Sequence, residues 1–74
     1  MAKKLIRIHH PKQLDFEKYT NQDLNLVATN GSVYFGKIKT VKIQEIIFSD
    51  NLNNKRTFAH QDVAELIIDQ IHSF

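Results

Sequence analysis

Residues 24–38, LNLVATNGSVYFGKI, decide the fold. Leu24, Leu26 and Ala28 alternate with Asn25 and Val27, the period of a strand with one buried face. Asn30-Gly31 follows. It is the strongest short hairpin signal, because a two-residue turn holds both central residues at positive φ, and Asn and Gly adopt that backbone most readily. Beyond the turn, Tyr34, Gly36 and Ile38 share one parity, and Val33, Phe35, Lys37 and Lys39 share the other. Gly36 interrupts a β-rich run, which predicts a bulge or a sharp bend. A strand that bends midway belongs to a small closed barrel rather than to an open sheet.

Working outward, residues 4–8, KLIRI, alternate with Ile6 and Ile8 on one side and suit a short strand. His9-His10-Pro11 breaks it, since proline fixes its own φ and drives the preceding residue out of the α region. Residues 13–20, QLDFEKYT, predict a short helix with Leu14, Phe16 and Tyr19 as apolar contacts and Asn21 as a left-handed stop. Strands are expected at 23–29, 32–39, 44–49, 55–59 and 63–69. The join around 41–43 carries no Gly, Pro, Asn or Asp, so its turn has no signature, whereas 50–54, DNLNN, is a loop by its turn chemistry. His60-Gln61-Asp62 predicts a single tight turn. From Asp62 onward a helix is the rival reading, because Val63, Leu66, Ile67 and Ile71 also fit a 3.6 period; the Leu-Ile-Ile run favours the strand and leaves 70–74 open. If Tyr34 and Ile38 face the core, Val33 and Phe35 form an apolar patch on the outer face that runs into Lys37 and Lys39. An exposed aromatic needs a reason, so the short helix is expected to cover Phe35. The expected fold is mainly β: a basic arm over 1–12, then one domain over 13–74 in which a short helix precedes a five-stranded, strongly bent SH3-like barrel.

The 74 residues suffice for one domain with a marginal core. There is no cysteine, which excludes disulfides and thiolate metal sites and makes subunit contacts the first support to consider. No apolar run approaches the roughly 20 residues of a membrane helix, and the N-terminus has no apolar signal segment, so a cytoplasmic location with no membrane contact is expected. The formal charge of +2 is uneven. Lys3, Lys4, Arg7 and Lys12 stand in the first twelve residues without an acid, and the other six basic side chains face all eight acids. Such an arm suits phosphate or an acidic partner; lysine-rich termini also serve as solubilising tails.

The run Asn30-Gly31, four residues, Gly36, one residue, Ile38, after a short helix and an alternating LNLVA strand, resembles the first motif of the Sm-like proteins, including their bacterial version Hfq. Ile46-Ile47-Phe48 stands at the family's distance from Gly36. Phe58-Ala59-His60 lies where Hfq has Tyr-Lys-His, and Val63 and Leu66 have the spacing of the pair that closes the second motif elsewhere in the family. The similarity spans 14–69. It implies a five-stranded barrel in a homo-oligomeric ring, closed by pairing the fourth strand of one subunit with the fifth of the next, and binding single-stranded RNA. Lys42, Gln44 and His60 would then line the central face, Lys3, Lys4 and Arg7 would contact phosphates, and Phe35 is a further candidate for base stacking. Asn30, Gly31, Gly36 and Ile38 shape the barrel. The chain also departs from the family. The turn Val41-Lys42-Ile43-Gln44 lacks the aromatic that stacks on bases, Ala59 replaces a basic residue, and Val33 stands where Hfq has a polar or basic one. A protein-interaction module on the same barrel is therefore the alternative reading, with a structural SH3-like barrel in a larger complex as a third.

No Ser/His/Asp motif, P-loop or glycine-rich phosphate loop is present, and no carboxylate pair is placed for acid–base work, so an enzyme is not expected and no cofactor is implied. Adjacent residues of a strand point to opposite faces, which argues against His9-His10 as half a metal site. His60 reads as a turn residue or subunit contact, and Asp62, Glu65 and Asp69 as a solvated strand edge.

Overall fold

A computed structural model describes residues 2–72, with side-chain surroundings for residues 5–68. Six strands, β1 (Ala2–His9), β2 (Asp23–Ala28), β3 (Val33–Val41), β4 (Glu45–Asp50), β5 (Lys55–Ala59) and β6 (Val63–His72), form one antiparallel sheet in the order β1-β6-β2-β3-β4-β5. A single helix, α1 (Gln13–Lys18), joins β1 to β2, and a 3-10 turn, His60–Asp62, joins β5 to β6. The expectation of a five-stranded closed barrel is corrected on two counts. Residues 2–9 of the basic arm are a sixth strand, and the sheet does not close: β1 pairs only with β6, and β5 only with β4. The strand reading of the C-terminal segment holds and extends to His72, while 73–74 fall outside the described residues.

The alternation in β2 places Leu24, Leu26 and Ala28 in the core. Cross-strand partners share a face, so Gly36 and Tyr34 on β3 and Ile68 and Leu66 on β6 lie on that side too. Ile38, Ile46, Phe48 and Val63 complete the cluster, with Ile6, Ile8, Tyr34, Val41 and Phe58 packed against it, so every strand supplies side chains to one core. Phe16 and Tyr19 cover this inner side from the helix segment. The helix is two residues shorter than predicted. Tyr19 caps it, the Thr20 hydroxyl donates to the Phe16 carbonyl at 2.9 Å, and Asn21 at φ 66° turns the chain out.

Two readings of the central hairpin change. Only Gly31 has positive φ, at 91°, and its N–H donates to the Ala28 carbonyl at 2.9 Å while the Ala28 N–H donates to Ser32 at 2.8 Å. The connection is thus a three-residue loop, Thr29 to Gly31, with a glycine ending it, and Asn30 contributes its Oδ1 as acceptor for the Ser32 N–H at 3.0 Å. Gly36 keeps regular register with Leu24 and Asp50; the irregularity falls between Ile38 and Thr40. Gly36 is required for a different reason. A Cβ there would overlap the Ser49 carbonyl oxygen and lie 2.7 Å from Asp50 Cα.

Candidate nucleic-acid interface

The predicted residues fall into two groups on different parts of the surface. The first is built by the turn after β3 and the turn after β5. The Lys42 N–H donates to the Glu45 carbonyl at 2.8 Å, which closes the tight join that had no sequence signature. The His60 N–H donates to the Gln44 carbonyl at 2.9 Å and brings these turns together. A cleft of about 370 Å³ lies between them, lined by Ile43, Gln44, Ala59, His60 and Gln61. Gln44 and His60 therefore meet at this cleft. Lys42 is not among the residues lining it; its Nζ lies 3.7 Å from Glu45 Oε1, so part of its charge is committed locally. The His60 ring lies 4.8 Å from that of Phe16, and its Nε2 is buried without a hydrogen-bond partner. Ile43, at the tip, is 80 % exposed. This cleft has hydrogen-bonding groups and an apolar tip, and the His60 imidazole, packed against Phe16, is its one aromatic lining residue.

The second group lies on the outer face of the sheet. Phe35 is 47 % exposed, which corrects the expectation that the helix covers it, and Val33 beside it is 60 % exposed. The helix is committed to the opposite, inner face through Phe16 and Tyr19. Phe35 borders a cleft of about 310 Å³ lined also by Asp23, Lys37, Lys39, Asn51 and Asn53. Lys37 Nζ lies 3.8 Å from Asp23 Oδ1, while Lys39 is exposed and without an ion pair among the described residues. The loop forming the far wall is held by Asp50. Its Oδ1 accepts the N–H groups of Leu52 and Asn54, both at 2.9 Å, and its Oδ2 lies 3.5 Å from Arg56 Nε. The Asn54 N–H, aided by the Leu52 N–H and the Arg56 guanidinium and opposed by burial, holds the Asp50 carboxyl below its usual pKa. Arg56 also lies over the Tyr34 ring, 4.9 Å from its centroid.

Arg7 belongs to this outer face. Its register partner is Ile67, Ile67 pairs with Asn25, and Asn25 with Phe35. Three strand spacings put Arg7 about 14 Å from Phe35 along one row. Lys3 and Lys4 lie in β1, and their side chains are outside the described region. The sequence places Lys37 and Lys39 beside Phe35 but the predicted binding set leaves them out, and it misses Asn51 and Asn53 altogether. The parity of 35, 37 and 39 carries the signal for the lysines, whereas the asparagines reach the cleft only through the loop fold. No helix of the described residues is long and apolar enough to cross a membrane. Comparison of the chain with family models, with curated proteins and with solved structures returns no match, so the likeness to Sm-like proteins rests on the residues quoted above.

Proposed function

We propose that this chain is a divergent Sm-like protein that binds single-stranded RNA as a homo-oligomer, and that it is a binding protein rather than an enzyme. One observation carries the reading: a half-exposed Phe35 stands beside Lys37 and Lys39 at an open cleft. An aromatic face with flanking cations is the usual apparatus for holding single strands, because every base offers a face to stack and every linkage a phosphate to neutralise. Ring assembly is supported by the free edge of β5, a strand with an unpaired row of backbone groups. The Gln44–His60 cleft would act as a second, hydrogen-bonding contact.

Titration of labelled U-rich and A-rich RNA at low salt tests the reading. Stacking contributes about 1–3 kcal/mol per base, so Phe35→Ala weakens binding by about five- to 150-fold while the fold is retained. Absence of micromolar binding in a sample of demonstrated oligomeric mass would sink the proposal. A protein-interaction module is the second reading, favoured by the apolar run of Val33 and Phe35 on an open sheet face and by Ile43 at the tip of its turn. It requires a partner whose binding responds to Phe35→Ala and is indifferent to salt.

A further inference from the structure

The sheet ends in β1 on one side and β5 on the other. β1 and β6 pair without a break from Ala2 opposite His72 to His9 opposite Glu65, so the chain itself fills the β6 edge on which a ring of the Sm-like kind closes. β5 pairs only with β4, and Lys55, Arg56 and Thr57 are exposed along it.

Two bonds show which backbone groups β5 leaves open. The Asp50 N–H donates to the Asn54 carbonyl at 3.0 Å, and the His60 N–H to the Gln44 carbonyl at 2.9 Å. Both lie on the register of the β4–β5 ladder, which runs without a shift from Glu45 opposite Ala59 to Ser49 opposite Lys55. Bonded and non-bonded pairs alternate in an antiparallel ladder. Arg56 and Phe58 therefore bond to β4, while Lys55, Thr57 and Ala59 turn their N–H and C=O groups out of the sheet.

This edge is complementary to itself. Laid antiparallel to its own copy about a two-fold axis at Thr57, it pairs Thr57 with Thr57 and Lys55 with Ala59 in both directions, which gives about six backbone bonds. The side chains agree with the same register. Lys55 stands opposite Ala59 and Arg56 opposite Phe58 of the second copy, so no cation meets a cation and each guanidinium meets an aromatic ring. Arg56 already lies over the Tyr34 ring and 3.5 Å from Asp50 Oδ2, which offsets its charge within its own copy. An axis at Arg56 sets two guanidinium groups against each other, and an axis at Phe58 leaves Lys55 without a partner. Either shift also loses one of the bonded pairs.

We propose that β5 is a dimerisation edge, occupied by β5 of a second copy so that two sheets become one across a two-fold axis at Thr57. Pairing of β5 with the free edge of β1 is head-to-tail and leaves an open edge at each end for further copies, whereas the two-fold contact uses the same edge twice and closes. The proposal rests on the homo-oligomeric reading above and gives that assembly two copies in place of a ring.

Thr57 is exposed and at the axis meets only itself, so charge placed there reports the symmetry. Mass is followed by light scattering over a concentration series, without RNA. The unaltered chain rises from the mass of one copy to that of two and stops. Thr57→Lys and Thr57→Glu each bring like charges together at the axis and stay single, and an equimolar mixture of the two recovers the mass of two copies. An unaltered chain that stays single, a mass beyond two copies, or a mixture no heavier than its components overturns the proposal. Amide exchange of the unaltered protein needs no variant. The Thr57 and Ala59 amides gain protection as concentration rises, while those of Arg56 and Phe58 are protected throughout; an unchanged Thr57 amide where the mass has doubled also overturns it. Neither measurement involves RNA. A larger assembly that binds RNA refutes the two-fold pair alone, and a pair without RNA affinity refutes only the binding reading.

Discussion

Gly36 and Gly31 stand in one hairpin and are required for unrelated reasons. A methyl group at 36 meets the backbone of Ser49 and Asp50, which are fixed by the β3–β4 ladder, so nothing nearby yields cheaply. At 31 the space is open and only φ resists substitution. Gly36→Ala therefore costs about 1–3 kcal/mol or more through overpacking, and Gly31→Ala about 1–2 kcal/mol through backbone strain. Urea unfolding monitored by circular dichroism ranks them, with 36 the lower midpoint. The sequence marked both glycines as special, but it assigned a bend to Gly36 because a glycine inside a strand pattern carries no information about what approaches it. Asp50 is a second residue whose role depends on neighbours invisible in the pattern. Its carboxyl titrates lower in the folded chain than in the unfolded one, so its contribution is present above the unfolded pKa and disappears as pH falls through the folded value. The Leu52 and Asn54 amides consequently lose exchange protection in acid. Asp50→Asn keeps both acceptor bonds and removes that pH response, whereas Asp50→Ala abolishes the protection at every pH.

At the scale of elements, α1 shows that a helix of six residues exists by docking rather than by propensity. Phe16 is fully buried against the core and stacks with His60, while Leu14, on the same helix, is 78 % exposed. Phe16→Ala is expected to cost about 3–5 kcal/mol. Leu14→Ala stays within about 0.5 kcal/mol, as a surface substitution does. Thermal unfolding of both variants measures the contrast, and similar losses would mean that the helix docks through a different side. Sequence reasoning named both residues as apolar contacts and could not separate them, because a helix of fewer than two turns has too few residues for an apolar face to emerge. It also sent the helix to the wrong face of the sheet. Parity assigns Phe35 and Tyr34 to opposite faces without saying which one an adjoining element covers. The alternating strands β2 and β3 were legible because each has a buried and an open side; β1 was only partly so, since its partner lies at the other end of the chain and Ile6 and Ile8 are its inward signals among the described side chains.

For the whole molecule, the arrangement of charge separates the two functional readings. Arg7, Lys37 and Lys39 lie on the outer face with Phe35; among the described side chains Asp23 lies across from Lys37, Asp50 borders the same cleft, and Glu65 lies beside His9. A single strand laid over Phe35 would exchange counterions at each cation it meets, and for single strands each phosphate contact adds about 0.7 to the slope of log affinity against log salt. Lys39→Ala should therefore lower that slope by about 0.7 and weaken low-salt binding without altering the preference among sequences. Lys37 is partly neutralised by Asp23 in an exposed pair worth at most about 1 kcal/mol, so Asp23→Asn strengthens RNA binding by up to about fivefold. Titrations at several salt concentrations measure both effects. An acidic residue that opposes binding when present and releases a lysine when removed belongs to a phosphate-facing surface. If the same substitution leaves RNA affinity unchanged while Phe35→Ala abolishes capture of a protein partner, the outer face is an apolar docking surface and its lysines are solvated bystanders.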